Sequence, residues 1–173
     1  MDTADDVIDI FLQPGEYFVG DASYRIRTLL GSCVSITLWH PTRRIGAMSH
    51  FLLACRDNSP SFALDGRYGE EALLLMSDEL SLMGINVVEC RAKIFGGGDM
   101  FPHHGRKNMA KVGQKNGEAA RSLLQARGIP IVSESLFGVG HRQIFFNINS
   151  GDVWARQIKP VDVPVPESRR RRA

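Results

Sequence analysis

The feature that most constrains this chain is a pair of apolar, β-branched runs, residues 33–39 (CVSITLW) and 45–53 (IGAMSHFLL), separated by a few residues around Pro41. Two such runs joined by so short a connection are expected to form an antiparallel hairpin. With His40-Pro41-Thr42-Arg43 as the loop, Pro41 stands where its fixed φ suits a turn, and Trp39 pairs with Arg44. That register sets Cys33 directly across from His50. Val34, Ile36 and Leu38 then share an apolar face with Ser49, Ala47 and Ile45, while Cys33, Ser35 and Thr37 share the other with His50, Met48 and Gly46. Directly opposed residues carry their Cβ atoms about 5 Å apart, within reach of a thiol–imidazole contact.

A thiol beside an imidazole is a candidate nucleophile with its acid and base. The thiolate attacks, and the imidazole takes the proton and later delivers it to a leaving amine. On this reading an imidazolium at His50 holds Cys33 as thiolate, so Cys33 should alkylate faster than Cys55 or Cys90. Gly31-Ser32 allows close backbone approach, with N–H groups available to a tetrahedral oxyanion. The bland alternative is a buried structural cysteine with a histidine as its polar neighbour. Three scattered cysteines do not make a disulfide framework.

Periodicity organises the remainder. Residues 24–30 read as a strand, and residues 57–67 are rich in turn formers. Ala72, Leu73, Met76, Leu80 and Met83 recur at helical spacing over residues 69–83, with Gly84 as the C-terminal cap. Residues 87–95 read as a strand ended by Gly96-Gly97-Gly98, with Cys90 packed in the core, and a second helix is expected over residues 117–126, stopped by Gly128. Strands are expected at 129–134, 142–147 and 153–158, the last two joined by a turn at Asn149-Ser150-Gly151-Asp152. The fold class expected is α+β: mixed or mainly antiparallel sheet layers with helices packed outside. Residues 1–160 form one domain on this reading, and residues 161–173, with two prolines and four successive arginines, a solvated tail.

A net charge of +2 from 21 basic and 19 acidic residues argues against nucleic acid as a partner and against membrane binding. No apolar run approaches the roughly 20 residues that span a bilayer, and the acidic start does not suit a secretory signal, so a cytoplasmic location is expected. Gly96-Gly97-Gly98 is not followed by the Lys-Ser or Lys-Thr of a phosphate loop, and His103-His104 with Cys55 or Cys90 lack zinc-ligand spacing. Neither a cofactor nor a metal is expected.

The strings Thr28-Leu29-Leu30-Gly31-Ser32-Cys33-Val34, Gly46-Ala47-Met48-Ser49-His50 and Ala92-Lys93-Ile94-Phe95-Gly96-Gly97-Gly98-Asp99-Met100-Phe101 resemble the CheD chemoreceptor glutamine deamidases. The resemblance runs from about Gly15 to Arg156. It implies a fold like that of the cytotoxic necrotizing factor catalytic domain, with Cys33 as nucleophile and His50 as its acid and base. It also implies a threonine five or six positions before the cysteine, which Thr28 supplies. The implied reaction is hydrolytic deamidation of receptor glutamines to glutamate without metal or cofactor. The implied partners are the cytoplasmic helices of methyl-accepting chemotaxis receptors and a CheC-type phosphatase. Where the family shows an Asp-x-Gly-Gly stretch before Gly-Arg, this chain has Ser135-Leu136-Phe137-Gly138-Val139-Gly140-His141-Arg142, keeping only Arg142. The rival readings are an adaptor with a vestigial Cys-His pair and a thiol hydrolase acting on another substrate.

Overall fold

Two β-sheets lie face to face and two helices cover the outer side of one of them. The computed structural model describes residues 6–57, 63–102 and 107–160, with side chains from residue 111 in the last segment. The Arg-rich tail, His103, His104 and the middle of the turn-rich segment lie outside the described residues.

The chain enters through β1 (Ile8–Phe11) and β2 (Tyr17–Gly20), continues through β3 (Tyr24–Leu30), β4 (Val34–His40) and β5 (Ile45–Ser49), and then forms α1 (Gly69–Leu82). Next come β6 (Arg91–Gly96), α2 (Lys107–Ala126), β7 (Ile131–Leu136), β8 (His141–Asn147) and β9 (Val153–Ile158). One sheet has the order β1-β3-β8-β9 and the other β2-β5-β4-β6-β7. The β1–β3 and β6–β7 pairs are parallel and the others antiparallel, which makes both sheets mixed, as the α+β reading expects.

The central strands β4 and β5 are apolar on both sides because both sides are covered. Val34, Ile36, Leu38, Ile45, Ala47 and Phe51 pack with Leu73, Met76 and Leu80 of α1 and Ala120 and Leu124 of α2. Met48 and Phe95 face the other way, into a second core with Ile26 and Leu30 of β3 and Ile144 and Phe146 of β8. Leu73, Met76 and Leu80 are fully buried, each worth roughly 1.5–3 kcal/mol of burial.

Four expectations are corrected. The hairpin register is Thr37 with Met48, Leu38 with Ala47, Trp39 with Gly46 and His40 with Ile45, so Trp39 does not pair with Arg44 and Cys33 is not directly opposite His50. The loop is Pro41 to Arg44: Arg44 takes a φ of 47° and donates its N–H to the His40 carbonyl at 2.9 Å. This slide keeps every residue on its expected face, because side chains alternate with a period of two. Residues 87–89 form a single 3₁₀ turn rather than the start of a strand, since Asn86 Oδ1 accepts the Val88 N–H and favours a helical start. The second helix begins at Lys107 rather than at Gly117, and Gly113 and Gly117 within it serve close packing. Two short strands, β1 and β2, were not expected; Asp9 interrupts the apolar pattern of β1 and is bonded to Arg25 on β3 at 2.8 Å.

Candidate active site

The segment between β3 and β4 carries Cys33, and its backbone is held from three sides. Gly98 N–H donates to the Gly31 carbonyl and Gly97 N–H to the Cys33 carbonyl, both at 2.9 Å. Asn116 Nδ2 of α2 donates to the Ser32 carbonyl at 3.1 Å and to the Leu52 carbonyl at 2.8 Å. Gly96 and Gly97, with φ of 113° and 66°, bend the chain into this cradle. A Cβ at Gly96 would stand 2.2 Å from the Cys33 carbonyl oxygen, so the close approach also demands glycine. Arg142, almost fully buried on β8, donates Nη1 to the Gly96 carbonyl at 2.7 Å and Nη2 to the Phe137 carbonyl, tying the glycine turn to the loop after β7. Phe137 itself lies under the Arg121 guanidinium, 5.3 Å from its ring centroid, and against Gly117.

His50 follows β5 and points between the sheets. Its backbone is fixed by its N–H to the Glu16 carbonyl at 3.0 Å and by Gly15 N–H to its own carbonyl at 2.8 Å. Its ring is 2% exposed, and Nδ1 lies 2.7 Å from Thr28 Oγ1 on the facing sheet. The same hydroxyl lies 2.8 Å from the Leu12 carbonyl oxygen. A carbonyl can only accept, so the single hydroxyl proton goes to Leu12, and Thr28 Oγ1 must accept from His50 Nδ1–H. Nε2 is then the unprotonated nitrogen. The bond that His50 Nδ1–H donates to Thr28 fixes the tautomer that a general base requires.

Cys33 lies on the His50 face of its sheet. The Val34–Phe51 bridge extends the hairpin register, which puts Cys33 opposite Leu52 and His50 one pair further along the same face. Cys33 packs at the margin of the core between the sheets. Burial pushes its thiol pKa up, and its own backbone N–H is the opposing influence that favours the thiolate. Burial also pushes His50 down from 6.5 to about 4. The resting pair is therefore a neutral thiol and a neutral imidazole, not the thiolate–imidazolium pair expected from adjacency alone. Among the other thiols, Cys55 is exposed and Cys90 is buried in the helix-side core.

A small cavity of about 80 Å³ adjoins the Cys33 segment, lined by Ser32, Met100, Phe101 and Val112. Two larger hollows, of about 440 and 620 Å³, lie at the hairpin-loop end, against Trp39 and Lys93 and against Asp21 and Arg44. The site is read from residue chemistry rather than from cavity size. Among the described residues no cluster of three or more histidine, cysteine or acidic residues could hold a metal, and no helix is long and apolar enough to cross a membrane. Asn116 was not singled out from sequence. Only its apolar neighbours Ala120 and Leu124, at i+4 and i+8 on one helix face, pointed to the side on which it lies.

These features define a two-sheet fold in which a glycine turn holds a thiol on the same sheet face as a buried imidazole. The model of the CheD family, described as CheD chemotactic sensory transduction, matches residues 52–157, and the chain belongs to that family. Three relatives extend the match. A probable chemoreceptor glutamine deamidase CheD 2 of Albidiferax ferrireducens is 63% identical over 155 residues, 89% of this chain and 90% of that protein. A probable chemoreceptor glutamine deamidase CheD 3 of Dechloromonas aromatica is 45% identical over 84% of this chain and 85% of its own. A probable chemoreceptor glutamine deamidase CheD 1 of Chromobacterium violaceum is 40% identical over 94% of this chain and 85% of its own. The family match begins after His50, but a pairwise match over 89% of the chain leaves too few residues outside it to miss Thr28, Cys33 or His50.

Proposed function

We propose that this protein hydrolyses glutamine side chains of methyl-accepting chemotaxis receptors to glutamate, with Cys33 as nucleophile, His50 as acid and base, and Thr28 holding His50. The observation that carries the reading is the Thr28–His50 bond at 2.7 Å, because it leaves Nε2 free to accept a proton on the face that Cys33 shares. Membership of the CheD family and the names of its relatives supply the substrate class.

In the proposed reaction the Cys33 sulfur attacks the carboxamide carbon while His50 Nε2 takes the thiol proton, so two neutral groups become an ion pair only as the new bond forms. The oxyanion of the tetrahedral intermediate is met by the Cys33 backbone N–H, the group already directed at the sulfur. His50 returns the proton to the departing nitrogen, and ammonia leaves a thioester. Water, deprotonated by His50, attacks the thioester carbon, and the Cys33–carbon bond breaks with return of the proton to sulfur. The product is a carboxylate where a neutral amide stood, which alters side-chain electrostatics along a receptor helix. The reaction needs no metal or cofactor. The small cavity beside Ser32 supplies an apolar wall next to the reacting amide.

The same reading takes residues 1–160 as the deamidase unit, a cytoplasmic location, and a CheC-type phosphatase as second partner. The test is incubation of the full chain with receptor cytoplasmic fragments, following ammonia release and the site-specific mass change. Wild type is expected to convert glutamine to glutamate, and Cys33→Ala and His50→Ala to lose all detectable conversion while remaining folded. Near-normal turnover in either variant would remove the mechanism.

A further inference from the structure

Three consecutive carbonyls run through the nucleophile segment. The outer two, of Gly31 and Cys33, are taken by backbone N–H groups of the glycine turn, but the middle one, of Ser32, is taken by a side chain from another layer of the fold. That side chain is Asn116, 2% exposed, near the middle of α2, and its second bond goes to the Leu52 carbonyl. Both partners only accept, so the amide must turn its nitrogen to them. One residue further in, Val34 and Phe51 exchange both backbone bonds of a ladder pair at 3.0 and 3.1 Å. The Ser32 and Leu52 carbonyls therefore sit just where the β4–β5 ladder opens, and Asn116 closes the gap.

We propose that Asn116 is a positioning residue for the deamidation: by taking the Ser32 carbonyl on the helix side of its sheet, it turns the Cys33 N–H toward the reacting thiol and the oxyanion. By taking the Leu52 carbonyl it also holds the nucleophile segment against the strand that carries His50. This role rests on the deamidase reading above. The geometry follows from the peptide plane. Among the described residues every peptide bond is trans, so the C=O of Ser32 and the N–H of Cys33 point in opposite directions. The α2 helix lies on the outer side of the sheet, whereas the Cys33 side chain packs with the core between the sheets. The N–H is thus directed to the sulfur's side, and no backbone carbonyl among the described residues takes it. The thiol also feels it, since the backbone N–H of Cys33 favours its ionised form.

The helix reaches this position through Gly113, three residues before Asn116. A Cβ at Gly113 would lie 2.6 Å from the carbonyl oxygens of both Gly97 and Gly98, so the helix backbone rests directly on the turn that holds the outer two carbonyls. One helix face therefore supports all three bonds to the segment: Gly113 through the turn, Asn116 directly.

The test compares Asn116→Ala and Asn116→Ser with wild type in the full chain, using a receptor cytoplasmic fragment as substrate and ammonia release as the signal. Rates are expressed per titratable Cys33 thiol, so that unfolded protein does not count. Misaiming one oxyanion donor is expected to lower kcat of Asn116→Ala roughly 10- to 100-fold with KM within about twofold. Asn116→Ser, which keeps a donor with shorter reach, should lose less and serves where Ala does not fold. Alkylation of Cys33 by iodoacetamide passes through no oxyanion and should slow less than about threefold. A kcat within about threefold of wild type would overturn the proposal, as would equal losses of kcat and alkylation, which would mean that the whole segment had shifted. If wild type released no ammonia, or Cys33→Ala released as much, the deamidase reading itself would have failed and this role with it.

Discussion

The burial of His50 makes a quantitative demand on stability. In the unfolded chain the imidazole titrates near 6.5, and in the folded protein burial pushes it down to about 4. Between those values the unfolded chain binds a proton that the folded protein does not, so unfolding free energy rises with pH across this window. The contribution is complete above about pH 6.5 and is lost as pH falls to about 4. At about 1.4 kcal/mol per pKa unit, the difference amounts to about 3 kcal/mol, a large share of the roughly 5–15 kcal/mol that holds a domain together. The perturbation is a shift from pH 7 to pH 4, and the reference is His50→Gln, which retains a donor for Thr28 and does not titrate. Urea unfolding followed by the fluorescence of Trp39 and Trp154 gives the free energy at both pH values for both proteins. Carboxylates whose pKa folding lowers, such as Asp9 and Glu71, contribute equally in both proteins and cancel in the double difference. Wild type is expected to lose about 3 kcal/mol more than His50→Gln. Equal pH dependence in the two would refute the claim that His50 is held neutral by burial. In the proposed mechanism the same shift sets activity: the base form persists well below the ordinary histidine range, so the acid limb of kcat/KM should fall near pH 4–5 rather than near 6.5.

Thr28→Val keeps the shape of the residue but frees the His50 tautomer, and kcat should drop roughly 10- to 100-fold with little change in KM, measured by ammonia release; an unchanged kcat would show that the hydroxyl does not set the tautomer. Limited iodoacetamide treatment at pH 7 with peptide mapping should label exposed Cys55 first, Cys33 more slowly and buried Cys90 last, because burial holds Cys33 and Cys90 protonated. Fastest labelling of Cys33 would restore the thiolate–imidazolium picture. Arg142→Met removes the donors to the Gly96 and Phe137 carbonyls; Gly96 keeps the Phe137 N–H at 2.8 Å while the Phe137 carbonyl loses its side-chain donor, at a cost of about 1–3 kcal/mol in urea unfolding. A loss under about 0.5 kcal/mol would mean that the two loops hold each other without it.

Much of this was legible in the amino-acid order because alternation has a period of two. The faces of β4 and β5 follow from Val34, Ile36 and Leu38 on one side and Cys33, Ser35 and Thr37 on the other, and a register slide of about two residues leaves those faces alone. What alternation cannot fix is where the turn begins. Arg44 closes the loop in a left-handed conformation that its residue type does not advertise, and this moved Cys33 from opposite His50 to a neighbouring position. The helix spacing of Leu73, Met76 and Leu80 placed α1 to within a residue. α2 starts at Lys107, ahead of the expected Gly117: Gly113 weakens a helix in isolation, whereas here its missing side chain admits the Gly97 and Gly98 backbone, and Gly117 leaves room for the Phe137 ring. The ionisation of the pair was misjudged for a similar reason. Adjacency of Cys33 and His50 suggested an ion pair, and only the closure of the second sheet over them, through Thr28 and Leu12, decides that burial prevails.

The wall behind Cys33 is almost entirely main chain. Gly31, Gly96, Gly97, Gly98 and Gly113 meet there with too little space for a side chain at most of these positions. A surface built from peptide groups has no rotamers to relax and no side chain to exchange, so single substitutions cannot retune it by degrees; they either fit or displace the backbone. Gradual change in what the enzyme accepts is left to the opposite rim, where Met100, Phe101 and Val112 border the small cavity and can be replaced one at a time. In lineages of such proteins the chemistry should be inherited as a block, while preference among glutamines drifts through those rim residues.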